Sequence, residues 1–348
     1  MNKISIDRIL IVGLGSIGKR HLRLAREMFP TAKIKILRHQ PSVDTPEYSD
    51  GCFFSHDQAL AFKPHIAVIA NPAPFHLEIA QILAEIGTHL FIEKPLAVSL
   101  DGVEKLHQTC NDKDIVLMIG YNLRFSTSLI KFRELLNKKI LGKVLSVRCE
   151  IGKYLPSWRP DIDYTRSVSS KKELGGGVLL ELSHELDYLN WIFGQVDWIR
   201  ASLFTQSSLK INVEDTAHLI LGLNSKEDSY NIIAAVNLDF IRHDNTRFCI
   251  AIGEDGTLRW DGITGEVLYY NKDSDEWIEM FVEDQKRDDS YISEWINFID
   301  CISNKKKPVV SIEDGIKVLQ IIGAAKKSFK TGKEVRINHN YQTKKVNQ

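Results

Sequence analysis

The sequence predicts an α/β half followed by an α+β half: a doubly wound parallel sheet, then a second domain built on a large, mostly antiparallel open sheet. Three observations carry that expectation. Short apolar runs alternate with amphipathic stretches from residue 8 to residue 120. A glycine-rich turn joins the first run to the first amphipathic stretch. Beyond residue 140 the pattern changes to longer runs of partial alternation separated by polar breaks.

"RILIVG" (8–13) reads as a short buried strand and "SIGKRHLRLAREM" (16–28) as a helix by its apolar spacing. "KIKILR" (33–38), "HIAVIA" (65–70), "HLFIE" (89–93) and "IVLMIG" (115–120) are further strands, with "PFHLEIAQILAEIG" and "SLDGVEKLHQTCND" as helices between them. Strands alternating with helices imply right-handed crossovers and a parallel sheet covered on both faces. In the second half, 142–154, 196–206, 217–225, 230–240 and 246–260 alternate as half-exposed strands do, and "EDGT" (254–257) is a hairpin turn. Helices around 289–303 and 312–330 close the chain. The expected domains are 1–122 and 123–338, with the C-terminal helix free to pack back on the first, and 339–348 as a polar tail.

Composition narrows the function. At 348 residues the chain is long enough for two cores, and 45 basic against 45 acidic side chains leave no global field to draw nucleic acid or anionic lipid. No window reaches the ~18 apolar residues of a membrane span, and "MNKISIDRILIVG" reads as a strand with a lone lysine, not a signal peptide. Cys52, Cys110, Cys149, Cys249 and Cys301 are scattered without a C-x-x-C pair, which fits reduced thiols in the cytoplasm and no zinc knuckle.

The turn "GLGSIG" places Gly13, Gly15 and Gly18 in G-x-G-x-x-G, after a strand and opening a helix, as a dinucleotide-binding Rossmann domain requires. Gly13 allows the tight turn, Gly15 the approach of a pyrophosphate and Gly18 the packing of helix on strand. The anion then meets N–H groups of the first helical turn, at Ser16 and Ile17. About twenty residues on, an acidic residue would favour NAD; the chain instead has Arg38 and His39. Arg38 suits a 2′-phosphate and inclines the expectation toward NADP, with a solvated arginine beside a permissive site as the alternative.

Four segments then resemble one family. "FIEKPLA" (91–97), "IANPAPFH" (69–76), "GYNLRF" (120–125) and "GGGVLLELSHELD" (175–187) resemble, in order, motifs of the Gfo/Idh/MocA oxidoreductases, the glucose–fructose oxidoreductase and inositol dehydrogenase family. The resemblance implies that Asn71, His76, Glu93, Lys94 and Asn122 border the cofactor, and that the second-domain sheet builds a homodimer or homotetramer. It further implies an acid/base histidine at His184 and Lys94 polarising the reacting oxygen. "ELSHELD" resembles a branch associated with bacterial surface-sugar biosynthesis, which implies a nucleotide-linked or amino sugar as substrate.

On one helix over 178–193, Leu182, Leu186, Leu189 and Phe193 form a core stripe ~60° wide, with His184 and Asp187 more than ~120° away. A wet polar face is one reading. Glu181-x-x-His184 has the spacing of di-iron bundles, but the other ligand-bearing helices are missing, so no metal is expected. Acid/base chemistry needs least: an imidazole titrating near ~6.5 exchanges a proton at neutral pH, a lysine stabilises alkoxide charge, and Asp187 or Glu181 orients the ring or holds neighbouring hydroxyls. The family has its carboxylate as Asp, one position further from the histidine; Glu181 departs from that. "KYLPSWRPDIDYTRS" (153–167) is a substrate lid or an ordered loop on a subunit neighbour. As a lid it would have Trp158 stacking on a sugar and Arg159 or Arg166 gripping a carboxylate or phosphate. With Arg124, Lys94 and His184 these are the substrate contacts expected for a sugar or cyclitol. Two rival functions stay open, a non-catalytic dinucleotide- and sugar-binding sensor and NAD-assisted glycoside cleavage.

Overall fold

Two sheets organise the chain. The structure, a computed structural model, describes residues 6–39, 45–224, 231–273, 276–282, 286 and 288–339. Contacts divide it into two units: residues up to Tyr121 with Ile292–Leu319, and Asn122–Tyr291 with residues from Gln320 on. Apart from His339, the polar tail expected over 339–348 lies outside the described residues.

The first unit runs β1 (Arg8–Val12), α1 (Ser16–Met28), β2 (Lys33–Leu37), β3 (Cys52–Phe53), α2 (His56–Phe62), β4 (Ile66–Ile69), α3 (His76–Glu85), β5 (His89–Glu93), α4 (Val103–Asp112) and β6 (Leu117–Gly120). Its sheet has the order β3-β2-β1-β4-β5-β6 with every pair parallel. Helices on both faces bury β1, β4 and β6 almost throughout, which is why they read as unbroken apolar runs. The strand order reverses between β1 and β4, where the crevice beyond the carboxyl ends of such a sheet takes its ligand. Sequence periodicity gives no sign of β3 and α2: two and seven residues are too few for a period to show, and α2 is set by Ser55, whose Oγ accepts from Gln58 N at 3.3 Å.

The second unit contains α5 (Thr127–Asn137), β7 (Val144–Gly152), α6 (Val178–Glu181), α7 (His184–Phe193), β8 (Gln195–Phe204), β9 (Thr216–Asn224), β10 (Asn231–Asp239), β11 (Thr246–Gly253), β12 (Gly256–Asp261), β13 (Val267–Asn271) and β14 (Trp277–Phe281). The chain then enters α8 (Asp289–Asn304) and α9 (Ile312–Thr331) and ends its described part past β15 (Val335–Arg336). The sheet order is β14-β13-β12-β11-β7-β10-β9-β8-β15, and β7–β10 is its parallel pair. One face is apolar and covered: Cys149, Ile151, Leu219, Leu221, Val236, Ala251 and Trp260 are buried there. Ile220 and Ile233, on the alternate positions, stay exposed. α7 lies on the covered face, with the Tyr188 ring edge-on to Trp260 at 5.5 Å.

The single helix expected over 178–193 is two pieces, α6 and α7, broken at Leu182–Ser183. Glu214 accepts the Val178 N–H on its carbonyl at 3.3 Å and the Leu179 N–H on its carboxylate at 3.2 Å, and so fixes the start of α6. The expected core stripe is buried, but so are Leu180 (4% exposed), Asp187 (1%) and Glu185 (0%), so the opposite face of this segment is not a wet one.

Candidate active site

The glycine turn is built as a dinucleotide turn needs. Gly13 has φ +88°, and a Cβ there would come within 2.9 Å of the Ala70 carbonyl and 2.8 Å of Asn71 N. A Cβ on Gly18 would collide with the Gly13 carbonyl, so only glycine lets α1 close on the turn. Gly15 meets nothing within 4 Å and caps α1 with no side-chain hydrogen bond. Open space therefore faces the N–H groups of Ser16 and Ile17 at the positive end of a thirteen-residue helix. Asn71 adds a second sign of fit: its Oδ1 is buried with no hydrogen-bond partner among the described residues. Arg38 stands half-buried just past β2, its backbone N–H bound to the Phe53 carbonyl at 3.0 Å, and His39 is exposed with its ring edge-on to Phe75.

Strand register puts the other expected cofactor residues along the same edge. Val12 pairs with Ile69, Ile69 with Ile92, and Glu93 with Gly120, so Gly13, Asn71 and Lys94 all leave the sheet at its carboxyl ends. His76 is 1% exposed and ties two of these loops together. Its Nε2 lies 2.7 Å from the Asn71 carbonyl and its Nδ1 3.0 Å from that of Pro95. Carbonyls only accept, and a neutral ring has one proton for the two sides; burial nevertheless holds the His76 pKa below its ordinary value, against the pull of those carbonyls. Glu93 is 6% exposed and spends its oxygens on His21 Nε2 (2.7 Å) and on the Lys94 backbone N–H (3.1 Å). Lys94 itself is half-buried and precedes the cis Pro95.

In the second unit the glycine triplet is used by the chain itself. A Cβ on Gly176 would strike the Val168 and Ser169 carbonyls, and one on Gly177 (φ +101°) the Glu214 carboxylate. Burial raises the Glu214 carboxyl above its usual range. His184 opens α7 half-buried, with Glu181 half-buried in the turn before it and its Oε2 accepting from Ser169 Oγ at 3.1 Å. Asp187, one turn on, receives Arg124 Nε at 2.9 Å and Nη2 at 2.7 Å, a forked pair with side chains 4% and 2% exposed. The Trp191 ring lies 5.5 Å from the Arg124 guanidinium and 4.4 Å from that of Arg133. Arg124, expected at the substrate, and Asp187, expected to orient the imidazole or hold neighbouring hydroxyls, are thus paired with each other inside the protein. Asn122 is buried too, donating to Ser290 Oγ at 2.9 Å.

The segment 153–167 is ordered by short 3-10 turns. Trp158 gives its N–H to the Lys153 carbonyl at 2.9 Å and sets its ring edge-on to Phe240, while Arg159 and Arg166 are exposed. Sequence reasoning missed the buried groups around these residues, namely Trp295 in the first unit, and Arg133, Trp191, Glu214 and the Glu185–Arg247 pair (2.9 Å) in the second. Trp295 lies 274 positions from the histidine it binds, and no local pattern announces such a partner. Among the described residues no group of three or more His, Cys, Asp or Glu side chains is placed to hold a metal, and no helix is long and apolar enough to cross a membrane.

A parallel sheet with this turn, joined to an open mixed sheet, defines a class of NAD-binding oxidoreductase. The chain belongs to the Gfo/Idh/MocA oxidoreductase family: residues 8–121 match its NAD-binding Rossmann fold and residues 133–337 its C-terminal alpha/beta domain. Among curated relatives, the myo-inositol 2-dehydrogenase of Thermotoga maritima is 23% identical over 95% of this chain and 98% of its own. The D-glucoside 3-dehydrogenase of Escherichia coli is 22% identical over 95% and 97%. A solved levoglucosan dehydrogenase in complex with NADH and L-sorbose shares the fold with a TM-score of 0.83 at 19% identity, covering 95% of this chain and 98% of its own. The WlbA dehydrogenase of Bordetella pertussis, in complex with NADH and UDP-GlcNAcA, does so with 0.78 at 20% identity, covering 97% and 100%.

Proposed function

We propose that this protein moves a hydride between a nicotinamide dinucleotide and a secondary hydroxyl of a sugar, nucleotide-sugar or cyclitol. The observation that carries the reading is the open, uncapped Gly15 turn sharing one sheet edge with Lys94. Bound dinucleotide supplies the hydride chemistry. Gly13, Gly15, Ser16, Ile17 and Gly18 hold its pyrophosphate, and Asn71 Oδ1 offers an acceptor beside it. Arg38 supports NADP, because among the described residues its guanidinium has no ion-pair partner that would compete with a 2′-phosphate.

Lys94 hydrogen-bonds the reacting oxygen and stabilises the charge that grows on it as its proton leaves. His184 takes that proton in oxidation and returns it in reduction. Asp187, locked to Arg124, holds the first turn of α7 and with it the imidazole. Glu181 is left to orient the substrate from the turn before. Relatives acting on an inositol, a glucoside and levoglucosan, and one binding UDP-GlcNAcA, support the substrate class. Within it the exposed Arg159 and Arg166 favour a sugar bearing phosphate or carboxylate, as in surface-sugar synthesis. The exposed apolar positions of the second sheet suit a homodimer or homotetramer, and five free cysteines suit the cytoplasm.

The test is a panel of inositols, glucosides and UDP-sugar acids, followed at the reduced-nicotinamide absorbance. Lys94→Ala and His184→Ala should each lower kcat by about 10²–10⁴-fold while dinucleotide affinity stays within about threefold. Full turnover in both variants refutes the assigned roles.

A further inference from the structure

Behind Lys94 runs a buried polar chain that the chemistry above leaves unused. Trp295, on α8, aims its indole Nε1–H at His21 Nδ1, 3.0 Å away. Indole nitrogen only donates, so Nδ1 is bare and the ring proton sits on Nε2. That N–H donates to Glu93 Oε1 at 2.7 Å, and Glu93 Oε2 accepts the Lys94 backbone N–H at 3.1 Å. His21 and Trp295 are wholly buried, and the Phe91 ring closes edge-on against His21 at 4.9 Å. A Cβ at Gly120 would approach the Glu93 carboxyl to 3.0 Å, so β6 walls in the carboxylate and leaves it little room to turn.

Glu294 adjoins this chain with 0% exposure. Among the described residues neither of its oxygens has a hydrogen-bond partner. Burial pushes its carboxyl well above the usual range, and the Glu93 charge pushes it further. Two neighbouring carboxyls in a dry site do not both ionise. Glu93 accepts two donors and Glu294 none among the described residues, which favours the protonated form of Glu294.

We propose that His21 and Trp295 are positioning residues for Lys94: the indole fixes the imidazole tautomer, the imidazole fixes the Glu93 carboxylate, and the carboxylate fixes the Lys94 peptide. The benefit to turnover rests on the role given to Lys94 above; the hydrogen-bond chain does not.

The test is ¹⁵N NMR of the full-length protein. Ring correlations should show His21 protonated on Nε2 and bare on Nδ1. Trp295→Phe removes the donor at Nδ1 and should shift the Nδ1 resonance. His21→Leu should speed exchange of the Lys94 amide by about tenfold, the cost of one lost hydrogen bond. His21→Gln, whose amide keeps a donor toward Glu93, should bring exchange back to within about threefold. Glu294→Gln should alter neither signal. A wild-type ring protonated on Nδ1, or unchanged exchange in folded His21→Leu, overturns the proposal; if that variant does not fold, the wild-type tautomer and Trp295→Phe decide. Full turnover in Lys94→Met alongside a locked His21 removes the role of Lys94 and upholds the chain, so the two claims fail separately.

Discussion

Replacing Asp187 by alanine should damage the second unit out of proportion to the atoms removed. Its carboxylate makes two short bonds to Arg124, and the side chains are 2% and 4% exposed. Cutting one partner from such a pair strands a charge in a dry site, at about 3–5 kcal/mol. Here the stranded guanidinium also shares the Trp191 ring with Arg133, whose pKa is held down by burial and by the charge of Arg124. The upper part of the range is therefore expected, about 4–5 kcal/mol, or a fall in Tm of about 8–15 °C for a unit of this size. Replacing both residues together by Leu and Met removes charge and countercharge, and should return stability to within about 1–2 kcal/mol of wild type. The assay is denaturant and thermal unfolding of wild type, Asp187→Ala and the double variant, with tryptophan fluorescence as the probe. A single Asp187→Ala variant less than about 1 kcal/mol below wild type would mean that water or another group solvates Arg124, and the buried-pair argument falls.

Two further outcomes follow from named groups. Glu294 should make native stability depend on pH with a definite sign. Its folded pKa is raised, so the unfolded carboxyl ionises first and stability falls as pH climbs from about 4.3 toward the folded value, by at most about 1.4 kcal/mol per pH unit. Glu294→Gln carries no such proton, so its stability advantage over wild type should widen from pH 5 to pH 8; a constant difference in paired melts contradicts a neutral, buried Glu294. Arg38→Ala should weaken NADP binding by about tenfold while NAD binding changes less than about twofold, and equal loss of both in fluorescence titrations would detach Arg38 from the 2′-phosphate.

What could be read from the sequence follows how far apart the cause and its effect lie along the chain. β1, the glycine turn and α1 stand where expected because the backbone itself demands these residues: Gly13 at φ +88° and Gly18 against the Gly13 carbonyl leave no other choice. The parallel sheet was legible because strands buried on both faces must be apolar throughout. α5, β13 and β14 escaped notice, and the strands are short, half-exposed ones whose alternation is weak. The break at Leu182–Ser183 was illegible for a stronger reason. Neither residue breaks helices, so nothing local marks it, and the cap that starts α6 comes from Glu214, more than thirty positions on.

The same distance rule separates the chemistry-bearing residues from those that aim them. Lys94 and His184, the residues proposed for the chemistry, could be picked out because they stand in recognisable motifs. Asp187 stands in the same motif as His184, but its pairing with Arg124, 63 positions away, has no local sign. His21 looked incidental until Glu93 and Trp295 closed on it from 72 and 274 positions away. A titratable side chain is read by what it could do, whereas its work is set by which partner reaches it first. In this protein the buried partners pair Asp187 with Arg124, tie Glu93 to His21, and leave Glu294 with a raised pKa.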